Sequence, residues 1–350
     1  MSVSVYFCQF FRYMIKVLLV IQCLSLASNA QADPVVSAVS PESLAVIVNT
    51  SDPKSIEVGQ YYVATRHIPE FNLIKVNITP GVRNLKPEVF EELRNEIFQQ
   101  LAPNINAIVM IWTAPYAVGC NSITSALTLG YDAKQCENTC KPGKVNPYFD
   151  SISRSPFMTH GLRISMLLPV ESVAQAKALI DRGVLSGFKV NEASAYFLNT
   201  SDKNRSTRSP FFPKSGRIES KKLELKSINT DFIQDKNDVM FYFTGLADVP
   251  NLPSLTFMPG AIADHLTSSG GDLLGKSQMS SLKWLDAGAT ASYGTVSEPC
   301  NYWQKFPNPL VVLKHYLAGE TAIESYWKSV AWPAQGLFIG EPLAAPYSSN

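Results

Sequence analysis

Two runs of apolar residues, Leu44-Ala-Val-Ile-Val-Asn49 and Ile105-Asn-Ala-Ile-Val-Met-Ile-Trp112, constrain this chain more than anything else in it. A strand with one wet face alternates apolar and polar residues, and these do not, so each reads as a strand covered on both faces. Asn49-Thr-Ser-Asp-Pro supplies loop and helix-cap chemistry after the first run. Residues 55–66 then place Ile56, Val58, Tyr61, Tyr62 and Ala64 at helical intervals before His67-Ile-Pro stops the helix. Leu73–Ile78 reads as the next strand and Lys86–Leu101 as the next helix. Strands buried on both sides and alternating with helices call for an α/β fold, a mainly parallel sheet with helices on both faces.

The alternation breaks between Thr113 and Gly161, a segment holding Cys120, Cys136 and Cys140 with little periodicity. Loops of that length are functional or are elaborations held by cross-links, and the cysteines favour a Cys-rich insertion at 113–161. Strands resume at Ile164–Val170 and Ala193–Leu198, with a helix over Ser172–Arg182 between them. Residues 200–219 are polar, and the basic side chains at 203, 205, 208, 214 and 217 read as a solvated loop. Asp238–Asp248 and Ala261–Thr267 read as strands, Met279–Asp286 as a short helix and Ala289–Tyr293 as a strand. Leu310–Ala318 and Ile323–Val330 read as closing helices and Gly336–Leu343 as a last strand and turn. Residues 33–350 are therefore expected to form one α/β domain, with 33–190 and 220–350 as its two halves.

Composition excludes some partners. Lys and Arg number 30 against 29 Asp and Glu, a net charge of +1, so there is no electrostatic case for nucleic acid. Arg12 and Lys16 precede the apolar run Val17–Ala27, and small residues follow at Ala30 and Ala32, the pattern of a secretory signal peptide over residues 1–32. An uncleaved anchor is the alternative. The run falls short of the roughly 20 apolar residues of a membrane span, and no later segment supplies one. Export to the periplasm or the exterior makes Cys120, Cys136, Cys140 and Cys300 disulfide candidates, with the connectivity open and zinc binding at Cys136-x-x-x-Cys140 as the weaker rival. Neither Walker A nor Gly-x-Gly-x-x-Gly occurs, so no cofactor is expected.

Chemistry-bearing residues concentrate between Phe257 and Pro299. Asp264 and His265 stand ahead of Thr267-Ser-Ser-Gly-Gly271, and Tyr293 and Glu298 follow the next strand. A histidine, carboxylates and hydroxyls at strand ends admit acid–base work. Neighbours on a strand point to opposite faces, however, so Asp264 and His265 share one pocket only if the strand breaks.

The segments Asn49–Pro53, Tyr61-Tyr62, Arg66-His-Ile-Pro69, Pro259–His265, Trp284–Gly294, Val296–Pro299 and Gly340-Glu-Pro-Leu343 resemble an uncharacterised family of exported bacterial proteins with no established activity. Glu341 stands where relatives often carry Asp. The C-terminal half also distantly resembles the catalytic domain of gingipain-type cysteine peptidases, which have a caspase-like fold. That resemblance implies a catalytic His at the end of one strand and a nucleophilic Cys at the end of the next. Thr244-Gly245 and Asp264-His265 occupy those places, so the Cys/His pair is missing and with it the thiolate mechanism.

Three functions follow as expectations. The first is a non-catalytic, caspase-like scaffold binding a peptide, glycan or envelope partner through Thr244, Gly245, Tyr293 and the His265 face. The second is a hydrolase using His265 with Glu298 or Asp264, through Ser268 or an activated water. The third is metal binding by Asp264, His265 and Glu298. A pocket with His265 Nε2 reaching Glu298 or a serine favours the second, and a closed, filled strand end the first.

Overall fold

The computed structural model describes residues 39–187 and 192–348; the expected signal peptide at 1–32 lies outside the described residues. Its strands are β1 (Leu44–Asn49), β2 (Leu73–Val76), β3 (Asn84–Leu85), β4 (Ala107–Ile111), β5 (Ala117–Val118), β6 (Asn121–Ser122) and β7 (Ile164–Leu168). They continue as β8 (Ala193–Leu198), β9 (Gly216–Ile218), β10 (Leu223–Ile228), β11 (Lys236–Thr244), β12 (Leu255–His265), β13 (Ala291–Thr295) and β14 (Gly336–Gly340). One mixed, mostly parallel sheet of 11 strands has the order β2-β1-β4-β7-β14-β13-β12-β11-β8-β10-β9 and is flanked by helices.

The sheet is two parallel blocks set against each other. Strands β2, β1, β4, β7 and β14 run one way. Strands β13, β12, β11, β8 and β10 run parallel to one another. The blocks meet where β13 and β14 pair antiparallel over five registered residues, and β9 closes the far edge antiparallel to β10. The last strand of the chain is thus inserted between the two blocks rather than added at an edge.

Local chemistry accounts for the first β-α-β unit. The Asp52 carboxylate accepts from Lys54 N–H, Pro53 opens the helix Pro53–Arg66, and His67 ends it in the left-handed region at φ 54°. Ser55 Oγ ties the unit together, accepting from Asn49 N–H and donating to the Ile111 carbonyl at the end of β4. Gly59 lets this helix sit against Val48, where a Cβ would collide with the valine side chain.

Three sequence expectations need correction. The polar run 200–219 is not all loop, because Gly216–Ile218 is β9, and the following β10 was not expected. The signal for β10 was its alternation, Leu223 and Leu225 against Glu224 and Lys226, masked by its hydrophilic face. Arg208, assigned to the same solvated run, is 1% exposed. The segment 113–161, expected as a long loop of little periodicity, contains a helix, Ile123–Leu129, buried against β7, with Ser165 Oγ donating to the Thr124 carbonyl at 2.7 Å.

The cysteines pair as Cys120–Cys136 and Cys140–Cys300. The first closes a turn within the insertion; the second ties it to the loop after β13.

Candidate functional site

β11 and β12 are registered so that Phe243 faces Asp264 and Thr244 faces His265 at their carboxyl ends. Strand alternation then sends Asp264 and His265 to opposite faces, as the strand persists through both. Each meets a different set of partners.

His265 is fully buried. Its Nδ1 accepts from the Trp284 indole N–H at 2.9 Å, and its Nε2 lies 3.0 Å from the Met279 carbonyl oxygen. An indole only donates and a carbonyl only accepts, so the ring is the neutral tautomer with its proton on Nε2. Burial holds the pKa down to about 3, which keeps it neutral. Both nitrogens are spent, leaving no lone pair for a proton from Ser268 or a water.

Asp264 is equally buried and meets Arg208, whose Nη1 lies 2.6 Å from Oδ1. Arg208 also donates to the carbonyls of Thr244 at 2.8 Å and Pro307 at 3.2 Å. The pair is held in a nearly dry environment, where burial pushes the Asp264 pKa up to about 6 against the pull of Arg208. Arg208 is the residue at this strand end that sequence reasoning missed, because a basic residue in a polar run carries no sign of its burial.

Glu298 reaches neither His265 nor Asp264 in its hydrogen bonds. Its carboxylate accepts from the backbone N–H groups of Cys300 at 3.1 Å and Asn301 at 2.6 Å, capping the turn. Lys305 lies 3.7 Å away, both side chains being fully buried, and burial raises the Glu298 pKa despite that ammonium. Lys305 also donates to the Thr139 carbonyl beside Cys140, so ion pair and disulfide close the same loop. Tyr293 is buried too and donates to the Lys305 carbonyl.

The glycines of this region serve packing. Gly245 lies directly against the Arg205 carbonyl, and its own carbonyl accepts from Thr200 Oγ1 at 2.7 Å. Gly271 backs onto Gly294, with a Cβ at either position overlapping the other segment's backbone. Gln278 Oε1 gathers the turn between them, accepting from Ser269 N–H at 2.9 Å and Thr267 Oγ1 at 2.8 Å. Of the seven expected site residues, Asp264, His265, Glu298, Thr244, Gly245 and Tyr293 are buried, and Ser268 alone is partly exposed. Among the described residues no three His, Cys, Asp or Glu side chains converge as a metal-holding group.

Open space lies beside this strand end instead. Past the carboxyl ends of β8 and β10 a cavity of about 470 Å³ is lined by Asn199, Thr200, Ser201, Lys203, Asn229 and Asp231. A neighbouring one of about 310 Å³ shares Asn199 and Asn229 and adds Pro210, Phe212 and Ile228. Carboxyl ends of parallel strands are where open α/β sheets present ligand crevices. None of these residues belongs to the expected site.

No family model matches this chain, and no curated protein matches it. A solved structure described as "Structure of Protease" is similar over 89% of this chain and 80% of that chain, at 8% identity and a TM-score of 0.46.

Proposed function

We propose that this chain is an exported, non-catalytic scaffold of caspase-like architecture that binds a peptide, glycan or envelope component. The observation that carries this reading is the occupancy of His265: Trp284 fills Nδ1 and the Met279 carbonyl takes the Nε2 proton. A general base needs a free lone pair facing its substrate, and this ring has none. The other groups that a hydrolase would recruit are committed elsewhere, Asp264 to Arg208 and Glu298 to a turn and Lys305. Both cysteine pairs are disulfides, which leaves no thiolate among the described residues. Metal binding by Asp264, His265 and Glu298 gains no support, since the first two face opposite sides of the sheet.

Export is the other half of the proposal. It rests on the basic, apolar and small-residue pattern of residues 1–32 and on two disulfides, which persist in oxidising compartments. Among the described residues no helix is long and apolar enough to cross a membrane.

The test is covalent labelling of the folded protein with fluorophosphonate and vinyl-sulfone probes. Background labelling is expected. Stoichiometric labelling that disappears in Ser268→Ala would overturn the non-catalytic reading.

A further inference from the structure

The paired cavities at the ends of β8 and β10 have a hydrogen-bonding character that names a ligand class. Asn199 Nδ2 donates to Asn229 Oδ1 at 2.9 Å across the boundary between them. That single bond leaves the pair with further acceptor capacity at Asn199 Oδ1 and donor capacity at Asn229 Nδ2. The charged groups of the wall each have a partner within the protein. Asp231 accepts from Ser201 N–H at 2.6 Å and Ser201 Oγ at 2.8 Å, which holds its carboxyl below the usual range. Lys203 donates to the Thr200 carbonyl at 3.0 Å.

A neighbouring donor and acceptor, in a wall whose one ammonium and one carboxylate balance, suits a group that gives and takes a hydrogen bond at once. A hydroxyl does this; a phosphate only accepts and an ammonium only donates. The second cavity adds Pro210, Phe212 and Ile228, of which Ile228 is 38% exposed, an apolar surface against which a ring's C–H face can lie. Phe212 is fixed by its contact with Phe197, ring centroids 5.6 Å apart, so this surface is preformed. Hydroxyl-rich edges with apolar faces are the chemistry of sugars, and two adjoining open depressions offer a surface along which a chain of sugar rings can lie.

We infer that this crevice binds a neutral oligosaccharide, with the Asn199–Asn229 carboxamide pair reading its hydroxyls and Phe212 and Ile228 carrying a ring face. The inference rests on the binding reading above and commits to the glycan among its ligand classes, the peptide, whose amide also gives and takes a hydrogen bond, being the competing outcome of the test.

The experiment is calorimetry and saturation-transfer NMR on the whole chain with cellotetraose, maltotetraose and chitotetraose, beside an uncharged tetrapeptide as the competing class. Saturable binding of at least one tetrasaccharide is expected, weakened about tenfold in the Asn199→Ala/Asn229→Ala double variant, the loss of one or two hydrogen bonds. Lys283→Ala, an exposed substitution outside both cavities, leaves it unchanged. Absence of binding by all three sugars, binding indifferent to the double variant, or binding of the tetrapeptide in their place would each overturn the inference. The sugar recovered after incubation separates the two proposals: a cleaved product sinks the non-catalytic reading while the crevice stands, and an intact but unbound sugar sinks the crevice alone.

Discussion

The carboxyl ends of β12 and of β8 carry different kinds of polar side chain and treat them in opposite ways. At the end of β12, His265 and Asp264 are buried and bound to Trp284 and Arg208, and past the end of β13 the buried Glu298 is held by the nearby turn and Lys305. At the end of β8, Asn199 and Asn229 bond to each other and keep one acceptor and one donor unused. A dense constellation of chemically able residues is therefore no guide to a site when the fold has closed over it. On the proposed reading the site lies where polar capacity is left over and there is room, among residues of no special chemistry.

The sharpest way to break this comparison is to unpair the closed end. Arg208→Met leaves the Asp264 carboxylate uncompensated in the core, and a loss of about 3–5 kcal/mol in urea unfolding is expected. The double variant Arg208→Met/Asp264→Leu should recover most of it; a single variant as stable as wild type would mean that the pair is not buried as described. Next in size is the Cys140–Cys300 link, which closes the loop over Glu298 and Lys305. Its removal as Cys140→Ser/Cys300→Ser should cost about 2–5 kcal/mol, read from urea unfolding curves with midpoint and slope both fitted, since the freed chain is less compact when unfolded.

The two titrating groups at the end of β12 give opposite pH slopes. Folded His265 resists protonation until about pH 3, whereas the unfolded ring takes a proton near 6.5. Its contribution is complete above 6.5 and is lost as pH falls towards 3. Folded Asp264 releases its proton near 6 against 3.8 when unfolded, so its contribution is complete below 3.8 and is lost as pH rises through about 6. These two slopes should consequently offset each other across that window. Asp264→Asn removes one of them, so between pH 6.5 and about 4 the variant should lose about 3 kcal/mol more than wild type, followed by urea unfolding of both at each pH. A variant that tracks wild type would show that the folded Asp264 carboxyl does not hold its proton to a raised pH.

The smallest effect is expected at the open end. Asn229→Ala should change unfolding free energy by less than about 0.5 kcal/mol, as for exposed positions that carry no packing. A larger loss would make the carboxamide pair a structural clasp and erase the contrast with β12.

Much of the framework was legible in the chain itself. The continuous apolar runs of β1 and β4 announce strands covered on both faces, and the interval pattern of residues 55–66 with its Asp-Pro start announces the helix between them. The opposite facing of Asp264 and His265 also followed from strand periodicity alone. Trp284 stood in a conspicuous motif, yet nothing in its neighbours along the chain marks it as the partner of a ring 19 residues away.

Local periodicity thus determined which segments are strands and helices, because backbone geometry repeats over a few residues. The cysteine pairing, the insertion of β14 between the two blocks, the burial of Arg208 and the closing of the His265 end depend on contacts between residues far apart in sequence. Those contacts exist only once the sheet has formed. The tertiary structure alone decided that the chain's most reactive-looking residues hold it together and that its plain carboxamides face open space.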